Sequence, residues 1–190
     1  QAERGFSFLR DGDLDMRMNP TAGMSAADWL ATVEERELAR VLWEYGEEKF
    51  SRRIARHLVG LRDTTPFVRT AQLAEAIAAV VPKSPDTRRI HPATRSFQAI
   101  RIYINQELQV LDSLLRQILL GLKVGGRLAV LSFHSLEDRR VKQFIQAEAA
   151  PAGDPLGLRE KPPARVKKFK RQAASAAECQ VNPRARSAIL

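Results

Sequence analysis

One stretch of the chain, residues 125–144, constrains the fold more than any other. It begins with two glycines that end an apolar helix, continues through an apolar run at 128–133, and passes through His134 and Ser135 into an amphipathic pattern. A short apolar run between turn signals predicts a fully buried strand. Helix, turn, buried strand, polar loop and helix follow one another in α/β folds, whose ligands collect outside the carboxyl ends of the strands. We therefore expect a site in the loop from His134 to Asp138.

The same loop also has a purely structural interpretation. Ser135 followed by Asp138 has the spacing of a capping box, in which the serine serves as the N-cap of the next helix. His134 is then a polar residue at the end of a strand. No Gly-x-Ser-x-Gly surrounds Ser135, which argues against a hydrolase nucleophile. The residues of the loop alone leave both interpretations, functional site and helix cap, open.

The net charge of +9 is concentrated towards the C-terminal end of the chain. Residues 159–190 contain nine Lys or Arg and two Asp or Glu, a difference of +7, so the rest of the chain is nearly balanced. A balanced body with a basic segment indicates contact with a polyanion, most simply a nucleic acid. A solvated tail without a partner is the alternative. The prolines and lysines near 150–180 predict a flexible basic linker.

Composition excludes several classes of protein. With one cysteine, Cys179, the chain forms no internal disulfide, and no Cys/His cluster has the spacing of zinc ligands. No apolar run approaches the roughly 20 residues of a membrane span, and no signal peptide is visible. We therefore expect a cytoplasmic protein without a membrane segment or a metal site.

The middle of the chain has the periodicity of helices. Between 25 and 81, N-cap residues such as Ser25 precede apolar stripes joined by short turns, which predicts a compact helical bundle. After Pro92, apolar residues recur at threes and fours as far as Gly125, which predicts one helix of about 40 Å if it is unbroken. Polar residues crowd the first half of that helix and mark a candidate site, with a solvated face as the default.

Two further observations concern whether this sequence contains a complete binding site. The run 13–20 mixes carboxylates, an arginine and methionines, which is typical of a lined pocket or a paired ionic contact. In contrast, no glycine-rich loop follows a strand and no Walker motif occurs. A sheet built from 128–133 and a final strand at 188–190 would be too small to be stable alone. We expect its remaining strands, and any phosphate- or ribose-binding turn, to lie outside this sequence.

Six motifs, in order, closely resemble those of the MraW-like ribosomal RNA small-subunit methyltransferase H family, and the resemblance covers essentially the whole chain. They are Glu3-Arg-Gly-Phe-Ser-Phe8, Leu14-Asp-Met-Arg-Met18, Tyr45-Gly-Glu-Glu48, His91-Pro-Ala-Thr-Arg95 with Phe97-Gln-Ala99 and Arg101-Ile102, Ser132-Phe-His-Ser-Leu-Glu-Asp-Arg139 and Asn182-Pro-Arg-Ala-Arg-Ser187. The resemblance implies an enzyme that uses S-adenosyl-L-methionine to methylate the exocyclic N4 of a cytidine in 16S ribosomal RNA of the small subunit.

The resemblance also implies an α/β fold, a Rossmann-like methyltransferase domain with an inserted all-helical domain. We expect core segments at 1–24 and 92–190 and the insert at 25–91. The family's cofactor residues, a Gly-Gly-His loop, an acidic ribose ligand and an Asp-Leu-Gly segment, precede the first motif. We therefore expect a partial domain, with the residues that bind S-adenosyl-L-methionine upstream of Gln1 and this chain alone inactive.

The chemistry of the reaction selects the candidate residues within these motifs. A cytosine amine has its lone pair delocalised into the ring, so an acceptor for the amine hydrogens favours attack on the methyl group. We predict Asp15, His134 and Asp138 as catalytic residues and expect Asp15 and His134 to face one pocket. The predicted contacts to RNA, through phosphates or stacked bases, are Arg17, Arg95, Arg101, Asn105, Lys167, Lys168, Arg184 and Arg186.

The alternative is a non-catalytic RNA-binding or ribosome-assembly module, in which the basic residues are the whole function. Internal pairing of some of the charged motif residues is a further alternative to a catalytic or RNA-binding role. The expected partner is 16S ribosomal RNA in either case, and association into a homodimer is left open.

Overall fold

The computed structural model describes residues 4–82, 90–150, 163–167 and 171–190, apart from the side chain of Arg184. They form two compact units, a first unit that ends at Glu107 and a second unit that begins at Leu108. The helices are α1 (Ala26–Thr32), α2 (Glu35–Gly46), α3 (Ser51–Arg62), α4 (Thr70–Val80), α5 (Thr94–Ile104), α6 (Glu107–Gly121), α7 (Ser135–Ala149) and α8 (Ala176–Val181), followed by a 3-10 helix (Pro183–Ser187).

Helices α1 to α5 enclose the hydrophobic core of the first unit. Helix α2 packs against α3 and α5, and α3 packs against α4. Leu42, Ile54 and Ile100 are completely buried where these helices meet. The predicted bundle is confirmed, because amphipathic stripes of this spacing bury one face of each helix. Ser25 caps α1 as predicted by accepting a hydrogen bond from the backbone N–H of Asp28.

The core of the first unit also includes residues on both sides of the predicted insert. Leu14 and Met16 precede α1 and are buried, and Phe97 of α5 is buried with them. Phe8 packs against the ring of Phe97, with ring centroids 4.8 Å apart. The domain boundaries at 24/25 and 91/92 stay predictions.

The single long helix predicted after Pro92 is wrong. Helix α5 ends at Ile104 and α6 starts at Glu107, and Gln106 between them has a left-handed φ of 50°. The apolar periodicity continues across the break and so gives no sign of it. The break coincides with Asn105, whose side chain bonds to distant backbone, and a tertiary contact of this kind can override local helix propensity.

The buried strand predicted at 128–133 is also not observed. Leu131 and Phe133 are 54% and 50% exposed. Ser132 alone in this run pairs with another described residue, Ile189, through two N–H···O bonds of 2.8 Å. A strand requires a partner along its whole length to satisfy its backbone groups, and Ile189 supplies a single pair. The final strand expected at 188–190 is limited to bridges from Ile189 to Ser132 and Ala173.

The expected α/β class is therefore supported only in part. The described residues are mostly helical, and their β pairing is limited to isolated bridges. The amphipathic helix expected after the polar loop is present as α7. The basic linker predicted near 150–180 lies largely outside the described residues, and so does Lys168. None of the helices in the described ranges has the length and hydrophobicity needed to cross a membrane.

Candidate functional site

The loop at 13–18 is held in place by its backbone. The N–H of Leu14 donates to the carbonyl of Val68, and the N–H of Ala26, in the first turn of α1, donates to the carbonyl of Asp15. Gly5 passes so close that a Cβ would lie 2.9 Å from the nitrogen of Asp15 and collide with the carbonyl of Asp13. The loop is therefore fixed by α1 and by its neighbours on two sides.

The backbone of Met16 is strained within this loop. Its φ is 60°, although it is not a glycine, and its side chain is completely buried. Its N–H donates to the carbonyl of Arg4 over 3.0 Å. Non-glycine residues in this region persist only where the surroundings hold them, and they cluster at functional sites. The strain lies between two residues of the predicted site, Asp15 and Arg17.

Asp15 and Arg17 form a bidentate ion pair. The Nε atom of Arg17 donates to Oδ1 over 2.7 Å and an NH2 group donates to Oδ2 over 2.8 Å. The backbone N–H of Arg17 also donates to Oδ1. These bonds, led by the guanidinium, hold the pKa of the Asp15 carboxyl below its ordinary value. The paired ionic contact expected for the run 13–20 is confirmed, and Asp15 is an anion at neutral pH.

Asn105 connects this loop to α5. Its Oδ1 accepts from the N–H of Met18 over 2.6 Å, while its Nδ2 donates to the carbonyls of Met16 and Arg101, both over 2.8 Å. Both ends of the amide are thus engaged within the protein. The structure shows Asn105 as a clamp on the loop, and its predicted contact to RNA stays a prediction.

The two arginines predicted on α5 differ in their surroundings. Arg101 forms a bidentate ion pair with Glu107, with Nε–Oε1 and NH2–Oε2 distances of 2.8 and 2.9 Å. Arg95 is half-buried, and its guanidinium has no hydrogen-bond or ion-pair partner among the described residues. Arg95 therefore retains its full capacity for an anion, whereas Arg101 has committed two donors to the junction between α5 and α6.

His134 begins helix α7 in the second unit. It is the N-cap of this helix, and its Nδ1 accepts a hydrogen bond from the backbone N–H of Glu137 over 3.4 Å. Glu137 returns the interaction with Oε2, which accepts from the N–H of Phe133 over 2.9 Å. A helix cap at this loop was one of the two interpretations, but the cap residue is His134 and Ser135 is the first helical residue.

Asp138 lies one turn into the same helix and is buried. Its Oδ2 atom is 2.9 Å from an NH2 group of Arg171 and 3.3 Å from Nζ of Lys142. Part of the basic segment is therefore paired inside the second unit, and Arg165 similarly contacts Glu148. Internal pairing of charged motif residues was the alternative to catalysis, and the structure shows it for Asp138 as well as for the pair of Asp15 and Arg17 and for Arg101.

The remaining predicted contacts to RNA lie near the C-terminal end. Lys167 and Arg186 are exposed and have no ion pair with any described residue. The backbone of Arg184 is in the 3-10 helix. The structure places Asp15, Arg17, Arg95, Arg101 and Asn105 in the first unit and His134, Asp138, Lys167, Arg184 and Arg186 in the second. That Asp15 and His134 share a pocket stays a prediction.

Sequence reasoning missed one basic surface and one clamp. The clamp is the side chain of Asn105. In the sequence it is visible only as an asparagine within a long apolar pattern, which is a weak signal. The surface is the face of α3 that carries Arg52, Arg53 and Arg56, where three arginines without a carboxylate between them were visible in the sequence.

Comparison with known proteins identifies related chains over the whole length. The profile of the MraW methylase family matches residues 1–190. Proteins named ribosomal RNA small subunit methyltransferase H are similar to all of this chain: one from Stenotrophomonas maltophilia is 56% identical, one from Xanthomonas oryzae 56% and one from Acidithiobacillus ferrooxidans 53%. The chain spans 59%, 56% and 60% of the length of these curated relatives, respectively.

Proposed function

Because the chain belongs to the MraW methylase family, we propose that it forms part of an enzyme that transfers a methyl group from S-adenosyl-L-methionine to the exocyclic N4 of a cytidine in 16S ribosomal RNA. The observation that carries the proposal is the similarity of the whole chain, at 52–56% identity, to proteins named ribosomal RNA small subunit methyltransferase H. A ribosomal substrate also supports a cytoplasmic location.

We propose that the residues that bind the methyl donor are not among the described residues of this chain. Within the described ranges no glycine-rich turn follows a strand, and β pairing is limited to isolated bridges, whereas nucleotide-type cofactors bind at such turns.

Asp15 is the best candidate acceptor for the amine hydrogens of cytosine. Its lowered pKa keeps it anionic, and Arg17 fixes both of its oxygens in one orientation. Oδ2 accepts a hydrogen bond from Arg17, and a carboxylate oxygen has the capacity for a second acceptor contact. As positive charge develops on the attacking nitrogen, an oriented carboxylate stabilises it without further reorganisation. A carboxylate with a lowered pKa is a weak base, so its contribution is mainly electrostatic.

His134 and Asp138 support the proposal in different ways. With Nδ1 accepting from the N–H of Glu137, the neutral imidazole of His134 carries its proton on Nε2, which lies 3.4 Å from Oε1 of Glu137. Asp138 is balanced by Arg171 and Lys142, which suits a residue that positions the start of α7. That His134 touches the substrate stays a prediction, and we propose that Asp138 acts through the helix.

Methylation of 16S ribosomal RNA by the intact protein tests the proposal. Mass spectrometry of nucleosides should show N4-methylcytidine with the wild-type protein. Asp15→Asn should lower kcat about 10²-fold, the scale of losing one acid–base or electrostatic group, while KM for RNA changes little. Asp63→Asn is the matched control because Asp63 is exposed at the end of α3. Binding of RNA without any methylation would favour the assembly-module alternative instead.

A further inference from the structure

An open groove lies on the surface of the first unit between α3 and α4. Its volume is about 690 Å³, and its lining includes Arg52, Arg53, Arg56 and His57 of α3 and Val80 of α4. The three arginines are exposed and belong to one stretch of helix surface, since residues three and four apart are neighbours on a helix. The groove is therefore a cleft with one strongly basic wall.

The arginines of this wall are not neutralised by the protein. Arg52 and Arg53 have no hydrogen bond or ion pair with any described residue. Arg56 has one long contact, 3.6 Å to Glu35, and its side chain is 81% exposed. Arg40 of α2, in contrast, contacts both Glu37 and Glu44, and Arg69 contacts Asp11 and Asp13. The first unit thus pairs some of its arginines, such as Arg40 and Arg69, and leaves those of the groove available.

The position of two of these arginines is unfavourable for the isolated helix. Arg52 and Arg53 occupy the first turn of α3, which contains no acidic residue. The N-terminal end of a helix carries partial positive charge and disfavours cations. Helix stability therefore does not explain these residues, whereas an anion in the groove would interact favourably with their side chains.

We propose that this groove binds the phosphodiester backbone of the RNA substrate. This inference rests on the proposed function, which supplies RNA as the polyanion. Guanidinium groups match the geometry of phosphate oxygens and bind them through two parallel hydrogen bonds. The lining has no Phe, Tyr or Trp side chain, and stacking of a base on His57 or on a guanidinium plane is tolerant of sequence because every base has a π face. The groove therefore holds RNA without reading its sequence. The motif residues Asp15 and Arg95 are not part of its lining.

The test replaces the three arginines by glutamine, which retains helix propensity, in the intact protein. The slope of log affinity against log salt for 16S ribosomal RNA should become shallower by about 2, since each phosphate contact contributes about 0.7 on single strands. KM for RNA should rise at least 10-fold with kcat unchanged. The matched control replaces three exposed arginines outside the groove that also lack a described partner: Arg10, Arg116 and Arg127.

An unchanged slope, or a change no larger than that of the control, overturns the inference. The single variant Arg53→Gln, with an expected slope change of about 0.7, provides the same decision if the triple variant does not fold. A failure of the proposed function has a different signature, because the wild-type protein would then produce no N4-methylcytidine. Binding of vesicles rich in phosphatidylserine through these arginines, without any effect on RNA, would assign the groove to a membrane surface and also overturn the inference.

Discussion

The two units bury their apolar side chains to different extents. The first unit has a continuous core in which Leu42 and Ile54 are completely buried. In the second unit, Leu120 and Leu131 are 81% and 54% exposed, although both lie in strongly apolar sequence. Apolar sequence therefore does not by itself produce a core, because burial depends on a partner surface. In the first unit that surface comes from the other helices of the bundle, both neighbouring and distant in sequence.

The largest expected effect is the loss of stability when a core side chain is shortened, and it should differ between the two units. Leu42→Ala should lower the free energy of unfolding by about 2–5 kcal/mol, because it leaves a cavity in a closed core. Leu120→Ala, an identical change at an exposed position, should stay within about 0.5 kcal/mol. Urea unfolding followed by circular dichroism measures both. Since both tryptophans, Trp29 and Trp43, lie in the first unit, their fluorescence reports on that unit alone. Equal losses for the two variants would contradict the comparison.

A second pair of variants tests how closely α2 and α5 approach each other. Gly46 ends α2, and a Cβ there would lie 2.6 Å from the carbonyl oxygen of Arg95 and 3.1 Å from the Cβ of Ala99. Gly46→Ala should therefore destabilise the first unit by about 1–3 kcal/mol, the usual cost of overpacking. Gly121 ends α6 and has no atom within 4 Å of such a Cβ.

Gly121→Ala is the control for this pair, and thermal unfolding measures both variants. Because alanine has the higher helix propensity, it should be neutral or stabilise by up to about 1 kcal/mol. A neutral Gly46→Ala variant would show that α2 and α5 are not packed as closely as the structure has them.

The parts of the fold that could be predicted from the sequence are those set by local pattern. The stripes of α1 to α4 and the Ser25 cap of α1 depend on residues three and four apart, so the sequence alone reveals them. The break at Asn105 could not be predicted, because it depends on Met16 and Met18, almost ninety residues away. The run 128–133 has the composition of a buried strand, but its pairing partners cannot be read from the run itself.

The candidate site follows the same rule. The mixture of charges at 13–20 predicted an ionic contact, and the pair of Asp15 and Arg17, two residues apart, confirms it. The pairing of Asp138 with Arg171, thirty-three residues away, could not be predicted because any basic residue of the segment was an equal candidate. Motif resemblance predicted which residues matter, while the structure shows which of them are paired within the protein.

The third effect concerns the clamp of the first unit. Asn105→Ala removes three hydrogen bonds and leaves the N–H of Met18 and the carbonyl of Met16 without their partner, which should cost about 1–3 kcal/mol. Hydrogen exchange should show faster exchange at the amide of Met18. Gln109→Ala, at an exposed position of α6, is the control and should change neither stability nor exchange. Unaltered exchange at Met18 in the Asn105 variant would argue against the clamp.

The smallest effect is a dependence of stability on pH. Among the residues that the structure describes, the carboxylates whose pKa values are lowered, Asp15 being one of them, lie in the first unit. Because the folded pKa of Asp15 is below that of the unfolded chain, about 3.9, its stabilisation is complete above that pH and is lost as pH falls through the folded pKa. The stability difference between wild type and Asp15→Asn, followed by tryptophan fluorescence, should therefore shrink from pH 6 to pH 3. Arg17→Gln should flatten the dependence of stability on pH in the same way as Asp15→Asn. The double variant should lower the stability no further, since both changes remove one ion pair. Additive effects of the two changes would mean that the pair does not act as a unit.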